Sequence, residues 1–208
     1  MKESMRGLYL VTPDWDDTRQ LLQVTEAALR GGAALLQYRH KGADAALRQE
    51  QGECLQDLCR TYGVPFIVND HVDLCLALNA DGVHVGGTDA SIVQVRTAVG
   101  PGKIVGASCY GSMELAHRAY RDGASYIAFG GFYPSRVKQY PVTTSPDIVA
   151  QAKKEISLPN VVIGGMTRDN AAPLVEKGAD MVAAISSVYL DGNPQSAARA
   201  FADLFAQS

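Results

Sequence analysis

Much can be excluded by what this chain lacks. No apolar run approaches the roughly 20 residues of a membrane-spanning helix. The segment Met1 to Arg6 carries charges of both signs and leads straight into a strand-like run, so no secretion signal is expected. Cysteine is sparse. Cys54, Cys59, Cys75 and Cys109 form no C-x-x-C pair and have no companion histidines at zinc-ligand spacing. They read as reduced thiols of a cytoplasmic protein. A net charge of -3 leaves no surplus of cations for a broad nucleic-acid surface, although a few focused cations suffice for a small anion. There is no low-complexity stretch and no sign of a domain boundary, so the 208 residues are expected to share one core.

What is present is a regular alternation. Short apolar runs occur at Leu8–Val11, Ala34–Tyr38, Pro65–Val68, Gly82–Val85, Ile104–Ala107, Tyr126–Phe129, Val161–Ile163 and Met181–Ile185. Several are continuous in Val, Ile and Leu rather than alternating, as strands of a parallel sheet covered on its outer face read. Between them lie helical spacings. Leu21, Leu22, Val24, Ala28 and Leu29 form one apolar stripe, and Asp147–Ile156 and Pro194–Phe205 read alike. A third helix, Val72–Leu78, is expected to be short. A repeated joint precedes every second strand: Gly31-Gly32-Ala33, Asn79-Ala80-Asp81-Gly82, Asp122-Gly123-Ala124 and Lys177-Gly178-Ala179. Each predicts a helix ending on a left-handed glycine. Eight such units favour a single-domain (β/α)8 TIM barrel over residues 1–208, in which closure removes both sheet edges. The first strand leads into Thr12-Pro13-Asp14-Trp15 rather than G-x-G-x-x-G, which disfavours an open dinucleotide-binding sheet.

Active sites of such barrels lie at the C-terminal ends of the strands. Strand two ends Gln37-Tyr38-Arg39-His40-Lys41, and a period of two puts Gln37, Arg39 and Lys41 on one face with Tyr38 and His40 on the other. Two cations and an amide there suit a phosphate or diphosphate, or else simply meet water. Asn69-Asp70 ends strand three, and Gly86-Gly87-Thr88-Asp89 follows strand four. Each acid could cap the next helix, but beside the cations of strand two the better reading is a pair of carboxylates for Mg2+. Ser108 ends strand five, where it can donate to a phosphate oxygen or cap a turn. A long loop after strand six brings Ser135, Arg136 and Lys138, and is a candidate lid. Gly164-Gly165 after strand seven and Ile185-Ser186-Ser187 after strand eight stand where these barrels commonly bind phosphate. His84 is expected to be a satisfied layer residue inside strand four. His40, His71 and His117 offer no placeable partner for a strand-end serine, so no nucleophile–base pair is expected.

Taken in order, these motifs resemble the thiamine-phosphate synthase family. They are Gln37-Tyr38-Arg39-His40-Lys41, Val68-Asn69-Asp70, Asp81-Gly82-Val83-His84-Val85-Gly86 with Asp89, and Gly106-Ala107-Ser108. Tyr133-Pro134-Ser135 with Lys138, Ile163-Gly164-Gly165-Met166-Thr167 and Ile185-Ser186 complete the set. The resemblance implies a transferase that joins a pyrimidine methyl diphosphate to a thiazole phosphate by a dissociative substitution. It implies that Gln37, Tyr38, Arg39, His40, Lys41 and Asn69 hold the pyrimidine diphosphate, with Ser108 in the pyrimidine site and Lys138 on the diphosphate. It also implies Mg2+ on Asp70 and Asp89, and thiazole phosphate on Ser135, Arg136, Val137, Gly165, Ile185 and Ser186. Arg39, Lys41, Ser108 and Lys138 would then carry the chemistry, which needs leaving-group stabilisation rather than a nucleophile. A homodimer is implied on the same ground. Two positions depart from the family pattern: Val137 replaces a hydroxyl residue, and Gly87 stands where glutamine is common. The alternatives are a thiazole tautomerase on the same barrel and a non-catalytic binder of thiamine phosphate.

Overall fold

A computed structural model of the chain describes residues 5–86, 91–134 and 143–206. Its strands are β1 (Gly7–Val11), β2 (Ala33–Tyr38), β3 (Phe66–Asn69), β4 (Gly82–Val85), β5 (Ile104–Tyr110), β6 (Tyr126–Gly130), β7 (Asn160–Ile163) and β8 (Met181–Ala184). They pair in parallel and in sequence order, and β8 closes on β1. Every strand end lies within one residue of its expected place except the end of β5, which runs on from Ala107 to Tyr110.

The helices are α1 (Thr18–Arg30), α2 (Ala45–Tyr62), α3 (Val72–Leu78), α4 (Ile92–Val99), α5 (Met113–Arg121), α6 (Asp147–Glu155), α7 (Arg168–Glu176), α8 (Ser186–Tyr189) and α9 (Pro194–Ala206). Asp17 caps α1 by accepting from the Gln20 N–H at 2.9 Å, one of the donors a helix start leaves without an internal acceptor. Of the apolar stripe expected on α1, Leu21, Ala28 and Leu29 are buried, whereas Leu22 and Val24 are only partly so. Thr25 is buried with them, its hydroxyl 2.9 Å from that of Tyr189.

Gly32, Gly123 and Gly178 take positive φ of 102°, 91° and 103° at the repeated joints. The joint before β4 departs from expectation: its left-handed residue is Asn79, φ 51°, and Gly82 belongs to the strand. Asn tolerates that conformation better than most side chains. No described helix is long and apolar enough to cross a membrane. Cys59, Cys75 and Cys109 are buried free thiols, and burial pushes Cys59 and Cys109 up to about 12.

Strand periodicity sorts the core into two layers. Leu8, Leu10, Leu36, Phe66, Val68, Val83, Val105, Ile127, Phe129, Val162 and Val182 face the helices. Tyr9, Val11, Leu35, Ile67, Tyr126, Ala128, Val161, Met181 and Ala183 fill the barrel interior. With both faces buried, a strand has no polar side to alternate with, which is why the runs read as continuous. The inward register continues upward to the C-terminal mouth, and it is this register that delivers the site.

Candidate active site

At the mouth the inward positions line two adjoining cavities. One, of about 80 Å³, reaches across the barrel mouth, and its polar lining, with Gln37, Arg39, Lys41, Asn69, Asp70 and Ser108, comes from the first five strands and their ends. The second, of about 200 Å³, lies over β5 to β8 and is lined by small and apolar groups, including Gly130, Gly131, Gly164, Gly165, Ile185 and Ser186. Ser108 and Ile185 belong to both, so the two lobes share a boundary.

In the first lobe, Thr12 pins the end of β2: its hydroxyl accepts from the Arg39 N–H at 2.8 Å and donates to the Arg39 carbonyl at 2.9 Å. The Arg39 side chain is buried and its Nη1 donates to both carboxylate oxygens of Asp14, at 3.2 and 3.4 Å. Its Nε is buried with no acceptor among the described residues. A buried donor without a partner is costly, and an anion in this lobe would relieve it. Asp14 also accepts from the Lys41 backbone N–H at 3.0 Å, so one carboxylate holds both basic residues of the strand end. No sequence signal marks this contact: Asp14 is three residues beyond β1, in a loop with no motif.

Tyr38 and His40 face away from that cavity, as a period of two requires. The Tyr38 hydroxyl donates to Gln51 Oε1 at 3.0 Å. His40 Nδ1 accepts from the Ala43 N–H, which leaves the proton on Nε2 to donate to Asp16 Oδ1 at 3.0 Å. Both border a neighbouring groove with Lys41, Arg48, Asn69, Asp70 and His71.

Asp70 is not a helix cap. The cap position of α3 is His71, which makes no side-chain capping bond. Asp70 is exposed in a left-handed conformation, φ 61°, and its carboxylate accepts from Asn69 Nδ2 at 2.7 Å. Oxygen donors of this kind suit a hard cation such as Mg2+. The described residues contain no group of three or more His, Cys, Asp or Glu placed to hold a metal ion, so Asp70 would need substrate oxygens or residues beyond them to complete a shell. Asp89, Gly87 and Thr88 lie outside the described residues, as do Ser135, Arg136, Val137 and Lys138. The cap position of α4 is Ser91, again without a side-chain bond.

The second lobe is shaped by backbone. Gly165 has φ 63°, and a Cβ there would collide with the Pro134 carbonyl oxygen, so only glycine lets the loop after β7 lie against the loop after β6. Asn170 secures that loop by donating from Nδ2 to the Gly165 carbonyl at 2.9 Å, within the capping box that Thr167 and Asn170 make at the start of α7. Ile185 and Ser186 stand where β8 passes into α8, and the Ser187 hydroxyl beside them is buried with no partner among the described residues.

Ser108 does not cap a turn; that role falls to Ser112, which accepts from the Leu115 N–H at the start of α5. Ser108 Oγ lies 2.9 Å from His84 Nε2, so the serine–histidine contact not expected from the sequence does exist. Its third member, however, is a phenol: His84 Nδ1 lies 2.9 Å from the Tyr126 hydroxyl. Burial raises the Tyr126 pKa well above its usual value, so the group stays neutral and offers no carboxylate to balance an imidazolium. Tyr126 in turn meets the Tyr9 hydroxyl at 2.6 Å, and Gln37 Nε2 donates to Tyr9 at 2.6 Å. The sequence signal for both tyrosines is their place on the inward register, where their strand neighbours are the aliphatic Val11 and Ala128.

Comparison with known proteins agrees in kind with this arrangement. The family model described as thiamine monophosphate synthase matches residues 8–188. A thiamine-phosphate synthase of Janthinobacterium sp. (strain Marseille) is 70% identical over 207 residues, covering 100% of both chains. One of Thiobacillus denitrificans is 47% identical, covering 96% of this chain and 95% of its own. Among solved structures, thiamine phosphate pyrophosphorylase from Pyrococcus furiosus superposes with a TM-score of 0.85 at 31% identity, over 98% of this chain and 97% of the other. A 3-hexulose-6-phosphate synthase, at 16% identity and a TM-score of 0.69, shares the fold.

Proposed function

The chain belongs to the thiamine monophosphate synthase family, and from that premise we propose that it joins 4-amino-2-methyl-5-pyrimidinylmethyl diphosphate to 4-methyl-5-(2-phosphoethyl)thiazole, giving thiamine phosphate and pyrophosphate, or to its carboxylate, with CO2 lost as well. The observation that carries this reading is the pair of adjoining lobes with Ser108 on their common boundary. One lobe is polar and cationic, as a diphosphate needs; the other is apolar and glycine-walled, as a small thiazole with a phosphate tail needs.

In this reading the bond from the pyrimidine methylene carbon to the diphosphate oxygen breaks, and its electron pair leaves with pyrophosphate. The thiazole ring nitrogen then gives its lone pair to the methylene carbon. No protein nucleophile takes part, and with the uncarboxylated thiazole no proton need move; from the carboxylate, CO2 leaves and the ring carbon that held it takes a proton from solvent. Arg39 and Lys41 meet the charge that grows on the leaving group, and Arg39 can do so because Asp14 and Thr12 hold it in place before substrate arrives. Asn69 supplies a neutral amide to the same group. Gln37 and Ser108 orient the pyrimidine, while Gly165, Ile185 and Ser186 place the thiazole behind the reacting carbon. Asp70, with Asp89, would hold Mg2+, which neutralises diphosphate charge when bound. Lys138 and Ser135–Val137 would act from the loop after β6.

The test of this reading is stoichiometry. Pyrophosphate and thiamine phosphate should appear one for one when both substrates are present. Pyrophosphate released without the thiazole, or a thiazole isomerised without the pyrimidine, would contradict it.

A further inference from the structure

Beneath the two lobes five polar groups form one hydrogen-bonded chain across the barrel. It runs from Gln37 on β2 to Tyr9 on β1, Tyr126 on β6, His84 on β4 and Ser108 on β5, with steps of 2.6, 2.6, 2.9 and 2.9 Å. Both ends, Gln37 and Ser108, line the polar cavity, and Tyr9 and His84 form part of its floor. The chain exists because position 106 is glycine: a Cβ there would collide with the Tyr126 ring and hydroxyl and lie 2.6 Å from His84 Nδ1. The rings are also locked by packing. Tyr9 meets Tyr126 edge-on with centroids 5.8 Å apart, and His84 stacks on Tyr126 at 5.6 Å.

Proton counting gives this chain a direction. Gln37 Nε2 donates to Tyr9, so the single Tyr9 proton goes to Tyr126. The single Tyr126 proton then goes to His84 Nδ1. A neutral His84 accepting at Nδ1 carries its proton on Nε2, which donates to Ser108 Oγ and leaves the serine proton for the cavity. Burial keeps both phenols protonated, as the chain requires. One end thus shows the cavity an acceptor, Gln37 Oε1, and the other a donor, the Ser108 hydroxyl.

We infer that Tyr9, Tyr126 and His84 are positioning residues that fix this polarity, so that the pocket selects an aminopyrimidine over its 4-oxo counterpart. The inference rests on the transferase reading above. An aminopyrimidine donates from its exocyclic nitrogen and accepts at its ring nitrogens, which complements the two ends. A 4-oxo ring reverses the pattern at carbon 4 and the adjacent nitrogen. An isolated glutamine would turn its amide over and read either ring. Here, turning it over requires the two phenol protons, the imidazole tautomer and the serine hydroxyl to reverse together, and that coupling makes a flexible amide discriminating.

The experiment compares kcat/KM for the amino and 4-oxo pyrimidine diphosphates in the wild type, Tyr126→Phe and Tyr9→Phe, each checked for a cooperative melt. The wild type should prefer the amino substrate. Each variant that folds should narrow that preference by about tenfold or more, the order expected for one misdirected hydrogen bond. The loss should fall on KM for the pyrimidine, with KM for the thiazole phosphate unchanged. If Tyr126→Phe does not fold, Tyr9→Phe decides alone, because it cuts the chain next to Gln37. A wild type that does not discriminate, or a folded variant with the wild-type ratio, overturns the inference while leaving the transferase intact. No product from the wild type with the amino substrate overturns the transferase reading, and the inference falls with it.

Discussion

Arg39 and Asp14 form an unequal ion pair: the arginine side chain is 6% exposed, the aspartate 42%. The arginine therefore bears most of the desolvation and the aspartate most of the solvent screening. Replacing Asp14 by Asn keeps an acceptor for the Lys41 N–H but leaves the Arg39 charge unbalanced. The expected cost is about 1–3 kcal/mol, below the full price of a broken buried pair because Asp14 is half in water. Pyrophosphate should restore part of it. Asp14→Asn should thus melt earlier without ligand and bind pyrophosphate several-fold more tightly than the wild type. Calorimetric titration checks this, and weaker binding would show that the position Asp14 gives Arg39 matters more to the anion than the charge it balances.

Asp70 offers the complementary case. Its carboxylate caps no helix, and Asn tolerates the same left-handed backbone. Asp70→Asn should leave stability within about 0.5 kcal/mol, as for an exposed site, while raising the Mg2+ concentration needed for half-maximal turnover. Thermal melts and a Mg2+ titration of activity separate the two effects. A variant that lost stability while keeping its Mg2+ response would mark Asp70 as structural.

These two residues also show how far the sequence could be read. The strands were legible because both of their faces are buried, and the inward placement of Gln37, Arg39 and Lys41 followed from a period of two. Asp14 was not legible, because a loop residue's partner depends on where the chain returns after a full β/α unit. The contact of Tyr9 with Tyr126 was illegible for a related reason. β1 and β6 are not neighbours in the sheet, and only barrel closure brings their inward residues face to face. Asn79 was missed as a left-handed joint because the other three joints use glycine.

Gly165 tests the second lobe. Gly165→Ala places a methyl group against the Pro134 carbonyl at a φ that alanine resists. A loss of about 1–3 kcal/mol is expected from the strain. KM for the thiazole phosphate should rise at least several-fold, with KM for the pyrimidine diphosphate little changed. Two-substrate steady-state kinetics distinguishes this from a general loss of activity, in which both KM values or kcat alone would move.

Alkaline titration tests the buried phenols. Burial raises the pKa of Tyr9, Tyr38, Tyr126 and Tyr189 above the ordinary value. Below about pH 10 folded and unfolded chains both hold these protons and the groups contribute no pH dependence. Above it the unfolded chain releases them first, so stability falls as pH rises toward the folded values. Phenolate absorbance from these four of the nine tyrosines should appear only together with the loss of tertiary structure. Their ionisation in the still-folded protein would contradict the burial on which the hydrogen-bonded chain depends.

Turnover bears most directly on the proposed transferase activity. Purified protein with the pyrimidine diphosphate and thiazole phosphate, in Mg2+ or in chelator, is assayed for thiamine phosphate by its oxidation to fluorescent thiochrome. Many turnovers per chain in Mg2+, abolished by chelator and restored by added Mg2+, are the predicted result. Folded protein that forms no thiamine phosphate in either condition would contradict it.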